Sequence, residues 1–436
     1  MSVERSGNDV RVHPTGPVVG AVRPPGSKSL TNRCLACAAL ADGRSVLRGA
    51  SFADDTFAMV RGLAQLGVRT ETLTPRAELH VFGARGNLTG DEVTINVGGA
   101  GTAMRFLAAL ACLGHGRRRL DGSARMRARP IGQLVGALQQ LGARIGYEAG
   151  EGYPPLTVVG GGLTGGEVAF ADPPSSQFLS AVLMVAPYAA HDVLIRIDGE
   201  VPSRPYVDMT VDVMRSMGVE AVEHAGRFVV PAYQRYQGGE FAVEPDASAA
   251  TYFWAAAAVT GGRVRVAGLT RQSRQGDVRF ADVLGRMGCV VSEDERGLTV
   301  AAPADGPLQG VTVDLNDMPD TVQTLAVVAL FAAGPTEIHN VANLRVKETD
   351  RLAALSTELT RLGARVEERP DGLTIHPPNR ISPAAIATYD DHRMAMSFAV
   401  AGLAAEGIVI RDAGCVRKSY PGFFEALEEL TRGARP

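Results

Sequence analysis

The chain repeats itself, and the repeat limits its possible folds more than any other feature. A glycine that ends a helix and opens a strand recurs as Leu66-Gly67-Val68, Leu141-Gly142-Ala143, Met217-Gly218-Val219, Met287-Gly288-Cys289 and Leu362-Gly363-Ala364, with glycines 75, 76, 70 and 75 residues apart. Glycine just past a helix supplies a left-handed cap, and the Val and Ile that often follow read as a strand. An offset series begins with small or acidic residues and runs into apolar sequence. Its starts are Ser27-Lys28-Ser29, Gly101-Thr102, Ser175-Ser176-Gln177, Asp246-Ala247-Ser248, Pro319-Asp320-Thr321 and Asp391-His392-Arg393. These segments stop near Gly43, Gly116, His191, Gly262, Gly334 and Gly407. Self-similarity at one period marks a chain assembled from a single supersecondary unit.

Each unit reads as strand, helix, strand, helix, strand, with one helix amphipathic and the other apolar nearly all round. Ser248–Val259 and Thr321–Ala333 are examples of the second kind. Such helices belong inside a domain, with other layers around them. The sixth amphipathic helix, Gly422–Thr431, has no strand after it, and Val10–Val12 and Val18–Val22 are the expected suppliers of the missing strands. The expected organisation is a discontinuous domain of residues 1–25 plus 244–436 and an inserted domain of residues 26–243. The chain would cross between them near Pro24–Gly26 and Phe241–Pro245.

At 436 residues the chain is long enough for two cores. Its net charge of −3, without a basic tail, argues against a nucleic-acid clamp, which needs a basic face to neutralise phosphates. Residues 1–20 are polar, and no apolar run approaches the roughly 20 residues of a membrane helix. A soluble, cytoplasmic protein that meets no membrane is expected. Five cysteines, an odd number, fit reduced thiols. Cys34 and Cys37 form a C-x-x-C inside an apolar segment with no second ligand pair nearby, which favours buried helix cysteines over a metal or redox site.

Of the 44 basic residues only Lys28, Lys347 and Lys418 are lysine, and each sits in a dense polar cluster. Lysine offers a compact, mobile, proton-exchanging ammonium where arginine offers a fixed planar fork. The polar motifs share one address, the start of a helix, where free N–H groups and the helix dipole favour anions. Serine and glycine are also ordinary helix caps, so capping alone could explain any single start. Ser29 and Arg33, Arg125 and Arg129, and Asn343, Lys347 and Arg351 are spaced by four, which on a helix places them on one face. Asp320, Glu348 and Asp391 accompany these cations. Carboxylates within a cationic site suggest proton transfer beside anion binding. For Asp320 and Asp391, helix capping is the alternative.

The runs Gly26-Ser27-Lys28-Ser29-Leu30-Thr31-Asn32-Arg33, Ala100-Gly101-Thr102-Ala103-Met104-Arg105, Arg125 through Gly132, Ser175-Ser176-Gln177-Phe178, Arg345 through Arg351 and Asp391-His392-Arg393-Met394-Ala395-Met396 resemble the 5-enolpyruvylshikimate-3-phosphate synthase family. The resemblance runs in order from about Gly26 to Pro421. It implies a two-domain inside-out α/β barrel (α/β in the wider sense that includes α+β), each domain holding three βαβαβ-type units with buried helices and the active site in the cleft between them. The implied reaction moves the enolpyruvyl group of phosphoenolpyruvate to the 5-hydroxyl of shikimate 3-phosphate, without metal or organic cofactor, in a monomer.

Carried over by position, Lys28, Ser29, Arg33, Ser175, Ser176, Gln177, Ser203, Tyr206, Asp320, Asn343 and Lys347 would hold shikimate 3-phosphate. Lys28, Gly101, Arg125, Gln177, Arg351, Arg393 and Lys418 would hold phosphoenolpyruvate. Asp320 would take the hydroxyl proton, and Glu348 with Lys28 would move the methylene proton. Gly99 and Phe106 stand where the better-known bacterial pattern has Asn and Pro, which implies an altered response to glyphosate, a ligand of the phosphoenolpyruvate pocket in the family. The UDP-N-acetylglucosamine enolpyruvyl transferases share the repeated fold but typically carry a reactive cysteine near the Arg125 region, and Leu120 to Gly132 contains none. A paralogue acting on a related cyclic alcohol and a non-catalytic anion-binding protein are the remaining alternatives.

Overall fold

In a computed structural model describing Ser2–Arg432, the second repeat shows the unit most plainly. Strand Val93–Asn96 leads into the buried helix Gly101–Leu110, then strand Arg117–Asp121, the amphipathic helix Gly132–Gln140, and the hairpin Arg144–Tyr147 and Leu156–Val159. Parallel strands need a crossover, and the buried helix provides it: Ile95 lies opposite Leu120 in parallel register. The hairpin then adds two antiparallel pairings, Leu156 opposite Leu120 and Leu156 opposite Tyr147. The βαβαβ-type pattern thus ends in a hairpin rather than a single strand.

The chain divides into two compact units, one running up to Pro25 and resuming at Glu244, the other Gly26–Val243. Among the described residues each unit contains three four-stranded sheets. Long-range pairing closes both. Strand Glu240–Ala242 pairs in parallel with Arg44–Arg48 and completes the first repeat. Strand Val19–Val22 pairs in parallel with Arg263–Ala267 and completes the fourth. The hairpin Val3–Ser6 and Asp9–Val12 joins Ile408–Ile410 and completes the sixth.

The two kinds of helix follow from side-chain size and polarity. Every residue of Gly101–Leu110 is buried, as are Leu30 to Leu40 and Ala247 to Ala258 in the equivalent helices Lys28–Leu40 and Ala247–Thr260. Alanine-rich surfaces let neighbours approach on all sides. Helix Arg351–Arg361 instead buries Leu352, Leu355 and Leu359, at helical spacing, against its unit. The apolar stretch Thr321–Ala333 is not one helix. It runs as the 3₁₀ turn Pro319–Thr321, the α-helix Val322–Val328 and the 3₁₀ turn Ala329–Phe331, and it stops there because Ala332–Ala333 pairs in a short sheet with Leu308–Gln309. Cys34 and Cys37 are buried within Lys28–Leu40 and form no disulfide, and burial pushes the Cys37 thiol well above its ordinary value. Among the described residues no helix is long and apolar enough to cross a membrane.

Candidate active site

The polar motifs sit at helix starts and turns of both units, and several of them meet. In the Gly26–Val243 unit, Ser27 caps helix Lys28–Leu40 by accepting from Leu30 N at 3.3 Å. Gly26 is required by space, since a Cβ there would lie 1.8 Å from the Gly49 carbonyl oxygen. Lys28 Nζ is 3.0 Å from Asp55 Oδ2, a carboxylate in the first turn of helix Asp54–Gln65. Ser29 is half-buried beside it.

Arg33 is almost fully buried. Its Nη1 donates to the Ser29 carbonyl at 3.1 Å, Nε to Thr210 Oγ1 at 2.7 Å and Nη2 to Ser180 Oγ at 3.2 Å. Its Cζ lies 5.4 Å from the ring centre of Phe106 and 5.5 Å from that of Tyr206. Desolvation lowers the guanidinium pKa to about 10. Ser203 is buried in a left-handed conformation (φ 59°) just before the helix Pro205–Ser216 that carries Tyr206.

Ser175 caps helix Ser176–Val185, accepting from Gln177 N at 3.3 Å. Gln177 Nε2 reaches Thr102 Oγ1 at 3.2 Å, bringing that start against the start of Gly101–Leu110, which has no side-chain cap. Two guanidinium groups attend the same spot. Arg105 Nη1 donates to the Gly101 carbonyl at 3.1 Å, and a Cβ on Gly101 would fall 2.7 Å from Arg129 Nη1. The spacing of Arg125 and Arg129 does not place them on one helical face. Helix Ala124–Arg127 ends before Pro130, leaving Arg125 exposed and Arg129 buried.

In the other unit Arg351 is the hub. Its side chain is 2% exposed. Nε donates to Asp391 Oδ2 at 2.7 Å, Nη1 to Asp320 Oδ1 at 2.9 Å and Nη2 to Glu348 Oε2 at 3.0 Å. Burial alone would lower its pKa, but Asp391, Glu348 and Asp320 together raise it above the usual arginine value. Arg393 Nη2 binds Asp320 Oδ2 at 2.6 Å, and Lys418 Nζ lies 3.8 Å from Glu348 Oε1. Asp391 also caps helix His392–Gly402 through Arg393 N, at 2.9 Å. Capping therefore describes Asp391 in part. Asp320 is not the N-cap residue of its turn, a place taken by Met318, and its carboxylate binds two arginines.

Asn343, Lys347 and Arg351 do not form a helical stripe. Asn343 lies in the 3₁₀ turn Ala342–Val346, Lys347 is extended, and Arg351 opens a new helix capped by Asp350, whose carboxylate accepts from Ala353 N at 3.1 Å. Both side-chain amide atoms of Asn343 are buried without a hydrogen-bond partner among the described residues, an arrangement that a bound polar ligand would satisfy.

Two further carboxylates carry no distinguishing sequence signal. Asp55 resembles an ordinary first-turn acid, and Asp277 lies in the turn Gly276–Arg279, remote in sequence from the cations. Asp277 accepts a hydrogen bond from Ser248 Oγ. Burial, then the charge of Asp320, pushes its carboxyl up to about 7.

Carboxylates held between cations can exchange protons once an anionic ligand takes over those cations. The family described as EPSP synthase (3-phosphoshikimate 1-carboxyvinyltransferase) matches residues 12–427. A 3-phosphoshikimate 1-carboxyvinyltransferase of Nostoc punctiforme is 47% identical over 95% of this chain and 97% of its own length. One of Photobacterium profundum is 47% identical over 97% of this chain and 99% of its own. The structure of EPSP synthase from Acinetobacter baumannii shares the fold, with a TM-score of 0.80 at 24% identity, covering 97% of this chain and 98% of that one. By sequence over nearly its whole length, the chain belongs to the EPSP synthase family.

Proposed function

We propose that this protein transfers the enolpyruvyl group of phosphoenolpyruvate to the 5-hydroxyl of shikimate 3-phosphate and releases inorganic phosphate. The observation that carries the reading, beside family membership, is the placement of Asp320 and Glu348 between Arg351, Arg393 and Lys418. Ser29, Arg33, Ser175, Ser176, Ser203 and Tyr206 hold shikimate 3-phosphate from one unit, and Asn343 and Lys347 from the other. Gly101 and Arg125 meet phosphoenolpyruvate from the first unit, and Arg351, Arg393 and Lys418 from the second. Lys28 and Gln177 serve both ligands.

On this reading residues of both units act on one pair of ligands. Each bound anion competes for the arginines and frees carboxylate oxygens. Asp320 then accepts the 5-hydroxyl proton as that oxygen attacks C2 of phosphoenolpyruvate, and Glu348, with Lys28, delivers a proton to C3. In the elimination step Glu348, with Lys28, takes a proton back from C3, the double bond re-forms, and the C2–O bond to phosphate breaks with its electron pair leaving on the phosphate. Orientation of two polyanions in one lined site can supply about 7–11 kcal/mol of the barrier reduction. The test is phosphate release with both substrates, run beside Glu348→Gln and beside unphosphorylated shikimate analogues. Turnover no higher than that variant's would leave only binding, and preference for an unphosphorylated alcohol would reassign the substrate.

A further inference from the structure

We infer that Asp55 is a positioning residue for Lys28, fixing the ammonium at the point from which it serves both ligands. This rests on the reading of Lys28 given above. Lys28 is the first residue of helix Lys28–Leu40, where the positive end of the dipole disfavours a cation, and the first turn of that helix carries no acidic residue. A lysine on a flexible four-carbon stem would leave such a place unless something held it. Asp55, 27 residues further on, does so at 3.0 Å.

Both members are withdrawn from solvent, with side chains 12% and 5% exposed, so the pair is shielded from screening. Asp55 sits in the first turn of its own helix, where the dipole favours a carboxylate. The two helix starts therefore hold opposite charges, one against its local field and one with it. Asp55 is the anchor and Lys28 the residue anchored. Asp55 needs no contact with substrate to act; it works by restricting where Lys28 can be.

The scarcity of lysine gives a direct test. Protein labelled with 15N only at lysine shows at most three side-chain ammonium groups, Lys28, Lys347 and Lys418, and the loss of a signal in Lys28→Arg assigns the first. In Asp55→Asn the Lys28 resonance should shift or broaden while the other two stay in place. In the same variant kcat should fall about tenfold or more, the range expected for a displaced catalytic group. Binding of shikimate 3-phosphate alone should fall much less, because Ser29, Ser175 and Ser176 remain. Asp55→Glu should restore part of both signals, and it carries the same readouts should Asp55→Asn not fold. An unmoved Lys28 resonance would overturn the pairing. A displaced resonance with full kcat would overturn the positioning role. If the unaltered protein released no phosphate from the two substrates, the functional reading would fail while the resonances still reported on the pair.

Discussion

Arg351 touches three carboxylates while its side chain is 2% exposed, and one of them, Asp391, is completely buried. Removing one member of a buried ion pair strands the other, at a cost of roughly 3–5 kcal/mol. Arg351→Met should lower unfolding free energy by about that amount in denaturant titrations, besides abolishing turnover. Lys28→Arg preserves charge but substitutes a fixed fork for a compact ammonium. We expect a loss of about 100-fold or more in kcat/KM, within the span of general acid–base contributions, and near-normal turnover would remove Lys28 from the chemistry. Phe106 stacks on the Arg33 guanidinium. It also lies in helix Gly101–Leu110, which begins at Gly101 of the proposed phosphoenolpyruvate site, so Phe106→Pro should change the glyphosate inhibition constant, and an unchanged constant would separate this helix from that pocket.

Asp277 supplies a pH dependence of known sign. Its folded-state pKa of about 7 lies above the ordinary carboxylate value of 3.8, through burial first and Asp320 second. The native state then binds more protons than the unfolded state between those values. The associated stability is full at low pH and is lost as pH rises through about 7, by an amount on the order of a few kcal/mol. Urea unfolding at pH 5 and pH 8 should show Asp277→Asn gaining on the unaltered protein at the higher pH.

At the scale of elements, the buried helices leave their C-terminal carbonyls to be satisfied inside the protein. Arg118 does this for Gly101–Leu110 and the loops beside it. Its guanidinium donates to Ala111 O at 2.6 Å, Leu113 O at 2.7 Å, Gly90 O at 2.7 Å and Leu88 O at 2.8 Å, and also to His115 O. Each buried acceptor left unmade costs about 1–3 kcal/mol. Arg118→Leu should accordingly destabilise the protein by several kcal/mol in denaturant unfolding while leaving the charged clusters intact in composition. The buried helices were legible because an all-apolar stretch at a repeated interval admits few other readings. The end of the helical stretch before Ala332 and the break between Asn343 and Arg351 were not, since they depend on a strand pairing and on the Asp350 cap.

At the scale of the whole molecule, the proposed reading has residues of both units serve one pair of ligands. Small-angle scattering should therefore show compaction on saturation with shikimate 3-phosphate, and an unchanged radius of gyration with both substrates present would count against closure. The repeat, the buried helices and the chemical types at each helix start can be read along the chain, because these are local patterns governed by periodicity and capping. Only the tertiary structure decided which charges meet. Arg393 reaches Asp320 across 73 residues and Arg351 reaches Asp391 across 40. Lys28 finds Asp55 on a neighbouring helix. An ion pair is a matter of distance in space and of burial, and neither is written in the spacing of residues along a chain.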